Sequence, residues 1–203
     1  MRNLSSLILA APVAACVSVL PAHAQPADPA AVRVAAFDAA LLDVMKQAKK
    51  LGPRGRYDAL KPAVEQAFDL PTMTRFAVGT AWSTLPGDQQ AELVTAFTRM
   101  TTATYAHNFD GYSGETFSID KVDTRGPDKL VRTRLTGAGA PTELAYRMRQ
   151  SGGGWKVIDV YYNSTVSSLL GQRSEFAATL SSGGATALAK KLNSRANQLL
   201  DDK

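Results

Sequence analysis

The chain has 203 residues, 45% of them hydrophobic, with a formal net charge of +5 and a single cysteine. This length suits one domain with its own hydrophobic core, and one cysteine excludes a disulfide framework. The basic residues are scattered along the chain rather than clustered, which argues against nucleic acid as a partner.

The first 24 residues have the organisation of a secretory signal peptide. Arg2 supplies positive charge, residues 4–20 are apolar, and Ala22-His23-Ala24 is a small-residue cleavage site. We predict cleavage after Ala24, which leaves residues 25–203 as one exported domain. The alternative is a lipoprotein signal with Cys16 as the lipidated N-terminus, but the apolar stretch continues past Cys16 and favours the later site.

The next part of the chain, about residues 30–108, is predicted to be helical. Apolar residues recur at helical spacing in four segments: 32–51, 54–68, 70–81 and 86–108. Gly52-Pro53 separates the first segment from the second, while Pro71 and Pro86 lie where the third and fourth begin.

From Glu115 the apolar period changes to two, which is typical of strands. Turn-forming clusters at 125–128, 137–141 and 151–154 divide the region at hairpin spacing. We predict four antiparallel strands over about residues 115–162, of which the last is the most deeply buried because both its faces are apolar. Two closing helices over about 167–200 follow, separated at Gly183-Gly184.

This order of elements predicts an α+β fold. A strongly twisted antiparallel sheet of about four strands would cup around helices, as in NTF2-like folds, with helices at both ends of the domain. Such a sheet curls away from the helices and can leave a cavity between them.

Few side chains could support catalysis. After residue 24 the chain has His107 as its only histidine and no cysteine, so we expect no metal, no cofactor and no catalytic triad. One enzymatic alternative remains, in which Asp159 is a base and Tyr161 or Tyr162 a proton donor for an apolar substrate. The competing interpretation is that Asp159 forms an ion pair with Arg173.

A series of short motifs between about residues 68 and 192 resembles one known family. The motifs are Phe68-Asp69, Val78-Gly79, Trp82, residues 86–90, Thr104-Tyr105-Ala106, Tyr146, Trp155-Lys156-Val157 and residues 172–176. In this order and spacing they resemble the MlaC-like, or toluene-tolerance, family of phospholipid-binding auxiliary proteins of ABC transporters. Residues 108–117 and 172–180 resemble its hopanoid-associated, HpnM-like branch.

The resemblance implies a periplasmic, non-enzymatic carrier that shuttles a phospholipid or hopanoid-like lipid between the inner and outer membranes. Its implied partners are an inner-membrane lipid transporter, an outer-membrane acceptor and, transiently, the membrane surface. A non-catalytic interaction module of the envelope is a further alternative. We expect an apolar cavity between the helices of 70–108 and the strands of 115–162, at or above the upper end of the roughly 300–1,000 Å³ usual for ligand sites.

The candidate lipid-contacting residues are apolar and aromatic side chains of these helices and strands. They are Met73, Phe76, Phe97, Met100, Tyr105, Leu144, Tyr146, Val160, Tyr162, Leu169 and Phe176.

Two further expectations concern packing and docking. Trp82 should hold the third and fourth helices against the sheet. Arg132, Arg134, Arg147 and Arg149 alternate outward on two adjacent strands, so we predict a basic patch that is either a solvated surface or a docking site for anionic headgroups or an acidic partner.

Overall fold

The computed structural model describes residues 27–163 and 166–201, so the predicted signal peptide and Cys16 lie outside the described residues. Its elements are α1 (Pro29–Lys46), α2 (Ala48–Ala67), α3 (Leu70–Val78), α4 (Gly87–Asn108), β1 (Thr116–Arg125), β2 (Asp128–Thr136), β3 (Thr142–Ser151), β4 (Gly154–Tyr162), β5 (Val166–Ser167) and α5 (Ser168–Asp201). A short 3-10 helix, Gly79–Thr84, connects α3 to α4. None of the described helices has the length and apolar character needed to cross a membrane.

The predicted α+β fold is confirmed. Five strands form one antiparallel sheet in the order β1-β2-β3-β4-β5, so every neighbour in the sheet is also a neighbour in the chain. The first four are the predicted strands. The fifth has two residues, which pair with Tyr161 and Tyr162. A strand this short has no alternation of apolar and polar residues by which the sequence could predict it.

Helix boundaries follow local chemistry. Asp69 Oδ1 accepts a hydrogen bond from the Thr72 N–H at 3.1 Å, and Pro71 lies in the first turn of α3. The predicted first helix ends earlier than expected, at Lys46. The break predicted at Gly52 is present inside α2, where Gly52 has φ 63°. The third helix ends at Val78 rather than 81 because Gly79, at φ 73°, caps it.

The closing helices are one element bent at a glycine. Gly184 has φ 70° and ψ −170°, and it divides α5 into a first half (168–183) and a second half (185–201). Both halves pack on α4: the Phe97 and Phe176 rings lie 6.3 Å apart, and Arg99 donates to the Asn193 carbonyl at 3.0 Å. The predicted break between the two helices is therefore confirmed.

The sheet packs one face, its inner face, against the helices. The strand register places Val131, Tyr146 and Val160 in one inward row and Thr133, Leu144 and Tyr162 in the next. The junction of α2 and α3 is fastened to this sheet because the Asp69 N–H donates to the Val157 carbonyl at 2.9 Å. The core lies between this inner face and helices α1 to α4, and α5 adds a row of buried side chains against α4 and the sheet.

The four arginines lie on the outer face of the sheet as predicted, but they form a ladder of ion pairs there rather than a patch of free positive charge. Each arginine has a carboxylate partner on a neighbouring strand, which offsets much of its charge, and Arg147 and Arg149 share one partner. The pairs are Arg132 with Asp123 at 3.2 Å, Arg134 with Asp120 at 2.9 Å, and Arg147 and Arg149 with Asp128 at 2.7 and 2.6 Å.

Candidate functional site

A cavity lies where the sequence predicts one, between α3, α4, β4 and the start of α5. Its volume is about 70 Å³, far smaller than expected. The lining is mostly apolar and aromatic and consists of Phe68, Met73, Phe97, Met100, Thr101, Thr104, Tyr105, Val160, Tyr162, Ser168 and Gln172. We refer to it as the interior cavity.

The structure distributes the sequence-predicted site residues over several places. Six of them line the interior cavity: Met73, Phe97, Met100, Tyr105, Val160 and Tyr162. Leu144 and Tyr146 are buried on the inner face of the sheet. Phe176 lines a separate groove beside α4. Phe76 and Leu169 line a depression on the outer side of β4, away from the interior cavity.

An aromatic cluster forms one wall of the interior cavity. The Tyr105 ring lies 5.1 Å from Phe37, 5.5 Å from Phe68 and 6.0 Å from Phe109 between ring centroids. Each aromatic pair at such a distance stabilises the fold by about 0.5–1.5 kcal/mol, in addition to the contribution of the apolar area that it buries. Burial, with smaller contributions from Tyr162 and Asp38, raises the pKa of Tyr105 well above its usual value, so this wall carries no charge at neutral pH.

A larger groove, of about 580 Å³, runs between the two halves of α5 over α4. Met100, Phe176, Ala187 and Leu192 supply its apolar surface, and the remaining lining residues are Gln172, Glu175, Lys190, Lys191, Ser194, Arg195 and Gln198. We refer to it as the α5 groove. Sequence reasoning missed it, although the break at Gly183-Gly184 was the signal that two helical segments would fold beside each other.

The interior cavity and the α5 groove share two wall residues, Met100 and Gln172. Met100 has an unbranched, flexible side chain that adapts to irregular spaces. The Gln172 Oε1 atom is buried and has no hydrogen-bond partner in the described part of the chain. The partition between the two spaces therefore consists of a flexible thioether side chain and an amide side chain whose oxygen is unpaired among the described residues.

Polar atoms without partners also occur between α1 and the inner face of the sheet. Within the described ranges, Asp38 Oδ1, Thr133 Oγ1 and Tyr146 OH are buried and accept or donate no hydrogen bond. Burial raises the pKa of Asp38 to about 7. Sequence reasoning missed Asp38, although it stands four residues after Val34 and three before Leu41 on the buried face of α1.

Asp159 does not form the predicted ion pair with Arg173. Its Oδ1 accepts from the N–H groups of Val160 at 2.8 Å and Leu169 at 3.3 Å, and its Oδ2 accepts from the Ser167 hydroxyl at 2.6 Å. The Arg173 side chain instead packs on Gly79, where an added Cβ would lie 2.9 Å from Arg173 Nε.

The geometry also disfavours Asp159 as a base. Both carboxylate oxygens are already engaged, and the carboxylate lies on the outer side of β4, opposite the interior cavity. Across residues 27–163 and 166–201, no group of three His, Cys, Asp or Glu side chains is placed to hold a metal ion.

The comparisons with known proteins agree with this architecture. One solved structure similar in fold is the phospholipid-binding protein from Ralstonia solanacearum in complex with a phospholipid. It has a TM-score of 0.75 and 24% sequence identity, and the match covers 85% of this chain and 99% of that chain. No curated protein is detectably similar in sequence. Residues 36–194 match the family described as MlaC protein, and because this match spans most of the chain, the protein belongs to the MlaC family.

Proposed function

We propose that this protein is a non-enzymatic lipid carrier of the periplasm, which binds a phospholipid or hopanoid-like lipid and moves it between the inner and outer membranes. The observation that carries the proposal is the uncharged, aromatic interior cavity with a loosely held wall, in a chain of the MlaC family. The phospholipid in the structurally similar Ralstonia protein supports the same class of ligand.

The physical task of such a carrier is to keep lipid chains out of water. Each Å² of apolar surface exposed to water costs about 25 cal/mol, so lipid chains exposing several hundred Å² do not cross an aqueous space unaided. The interior cavity must widen to hold a chain, because about 70 Å³ is too small. Binding then shifts the protein from a closed to an open conformation, which the lipid selects by its contacts with the exposed walls.

The proposed contacts follow from this geometry. A lipid chain in the widened cavity would contact the six predicted residues that already line it, and it would reach Leu144 and Tyr146 as the inner face of the sheet becomes exposed. Phe76 lies on the other side of β4 with 41% of its surface exposed, so we assign it no contact with lipid in this cavity.

The cellular setting is part of the proposal. Residues 1–24 have the features of a signal peptide, and the motifs shared with the family favour a periplasmic location. We propose an inner-membrane lipid transporter and an outer-membrane acceptor as partners. The motifs at 108–117 and 172–180 favour the hopanoid-associated branch, which would make a polycyclic lipid the alternative cargo to a phospholipid.

Native mass spectrometry of protein purified from a bacterial envelope tests the proposal directly. We expect a fraction of the molecules to carry one lipid, which chloroform extraction releases and identifies. Transfer of a fluorescent phospholipid between donor and acceptor vesicles should accelerate in the presence of the protein. Met73→Trp should reduce lipid loading because the larger ring fills the cavity, whereas Val32→Trp, on the exposed side of α1, should not. Protein that is always empty and accelerates no transfer contradicts the proposal.

A further inference from the structure

We infer that the α5 groove is the entrance through which a lipid reaches the interior cavity, and that Lys190 and Arg195 on its rim bind the phosphate of the headgroup. This inference rests on the proposed function, because it assigns the route and the headgroup site of the same lipid.

The groove is a built feature of the fold. Gly184, at φ 70°, turns the second half of α5 away from the helical path of the first half. A side chain at this φ would be strained, and a Cβ at Gly183 would lie only 2.6 Å from the Ala187 Cβ. The bend leaves both halves on α4 and opens a space of about 580 Å³ between them.

The position of the groove makes it an entrance. It is separated from the interior cavity by Met100 and Gln172, which line both spaces. Because Met100 and Gln172 line both spaces, displacement of these two side chains would open one space toward the other. The buried Gln172 Oε1, which has no partner in the described residues, gains one when it turns toward solvent, so the movement is not opposed by the loss of a hydrogen bond.

The rim of the groove has the charge that a phosphate requires. Ala187, Lys190, Lys191, Ser194, Arg195 and Gln198 recur at helical spacing along one face of the second half of α5 and all line the groove. Lys191 is paired with Glu175 at 2.8 Å.

The other two rim cations are exposed and available. Within residues 27–163 and 166–201, Lys190 and Arg195 have no carboxylate within 4 Å. An amphiphile with apolar chains and one anionic group matches this arrangement, because the chains follow Phe176 and Leu192 inward while the phosphate stays in water beside the cations.

The first test blocks the groove. Ala187 lines it, whereas Ala177, on the same helix, is exposed and does not line it, so Ala187→Trp and Ala177→Trp form a matched pair. We expect uptake of a fluorescent phosphatidylglycerol from vesicles to slow about tenfold or more in Ala187→Trp and to remain within about twofold of wild type in Ala177→Trp. Equal uptake rates in the two variants would show that the α5 groove is not the entrance. The route would then be the exposed end of the interior cavity, at Tyr162.

The second test removes the rim charge. The double variant Lys190→Gln/Arg195→Gln alters exposed side chains only, and Lys49→Gln/Lys50→Gln removes two exposed lysines elsewhere. We expect the rim variant to lose about tenfold in affinity for phosphatidic acid, with no change for the uncharged diacylglycerol of the same chains. An equal loss for both lipids, or none for either, overturns the headgroup site.

The outcomes separate the two proposals. Inorganic phosphate should compete weakly or not at all, because the apolar chains supply most of the affinity; strong competition means that the rim is a free-phosphate site instead. If the wild type takes up no lipid, the carrier function itself fails. If it takes up lipid and the matched variants do not differ, only the entrance and the headgroup site fail.

Discussion

Replacement of Asp38 should change how stability depends on pH. This carboxyl is buried on the inner side of α1 without a hydrogen-bond partner for Oδ1 among the described residues, and burial raises its pKa to about 7. The titratable groups close enough to influence it are phenols, Tyr105 on α4 and Tyr146 on β3. Burial raises the pKa of both, so they remain neutral, and the Asp38→Asn variant removes a single titration.

The sign of the effect follows from which state holds the proton. Below the ordinary aspartate value of 3.8 the folded and unfolded chains are both protonated at Asp38, and the group contributes no pH dependence. Between 3.8 and about 7 the folded chain keeps a proton that the unfolded chain has lost, so the free energy of unfolding falls as pH rises. At about 1.4 kcal/mol per pH unit the loss totals about 4 kcal/mol and is complete above pH 7.

Urea unfolding followed by tryptophan fluorescence, at steps between about pH 4 and pH 8, measures this loss. Asp38→Asn should remove the decline, and Asp43→Asn, an exposed residue of the same helix, should leave it unchanged. The comparison uses the slope rather than the absolute stability, because the asparagine amide is also buried. A wild type that is equally stable at both ends of this range, or an Asp38→Asn variant that retains the wild-type slope, would show that Asp38 does not keep its proton in the folded chain.

Three other substitutions test local packing and pairing by the same unfolding assay. Trp82→Ala should lower the free energy of unfolding by less than the roughly 3–5 kcal/mol expected for removal of a fully buried ring, because Trp82 is half-buried. Lipid loading should stay intact, since Trp82 lines neither the interior cavity nor the α5 groove. Asp159→Asn should cost about 1–3 kcal/mol because three donors lose a charged acceptor; an unchanged stability would mean that these bonds are dispensable. Asp128→Asn should cost about 1–3 kcal/mol at neutral pH and less in acid. Burial opposes ionisation of Asp128, but Arg149 and Arg147 outweigh it and lower its pKa below 3.8, so this contribution is lost as pH falls through the lowered value.

The fold was largely predictable because its elements carry long, regular patterns. The strands of the sheet alternate with a period of two, and their turns contain glycines in the left-handed region, such as Gly126 and Gly152. The breaks at Gly52 and Gly184 were predictable for the same local reason. The two-residue strand β5 was not, since its pairing with β4 depends on where α5 begins and not on any pattern of its own.

The surface chemistry was less predictable because it depends on register. The sequence shows that Arg147 and Arg149 point outward, but not that Asp128 lies opposite them on the neighbouring strand. Likewise, the sequence predicted an ion pair between Asp159 and Arg173. In the structure the start of α5 places the Leu169 N–H beside the Asp159 carboxylate, which accepts its hydrogen bond instead. Charge pairing across a sheet follows strand alignment, which the residue types alone do not fix.

The closed interior follows from the energetics of an empty apolar cavity. A dry apolar cavity costs about 24 cal/mol per Å³, so a preformed space of about 300 Å³ would cost about 7 kcal/mol, comparable to the about 5–15 kcal/mol that holds a whole domain folded. The observed cavity of about 70 Å³ costs about 2 kcal/mol on the same scale. The empty protein therefore gains stability by closing, and under the proposed function a lipid chain is accommodated when the cavity walls separate. The wall most easily moved is the one shared by the interior cavity and the α5 groove, because Met100 is flexible and Gln172 has an unpaired buried oxygen among the described residues. When the walls separate, they lose their contacts with each other, and lipid chains in the opened space would replace those contacts. We therefore expect the open form to be stable only with lipid bound.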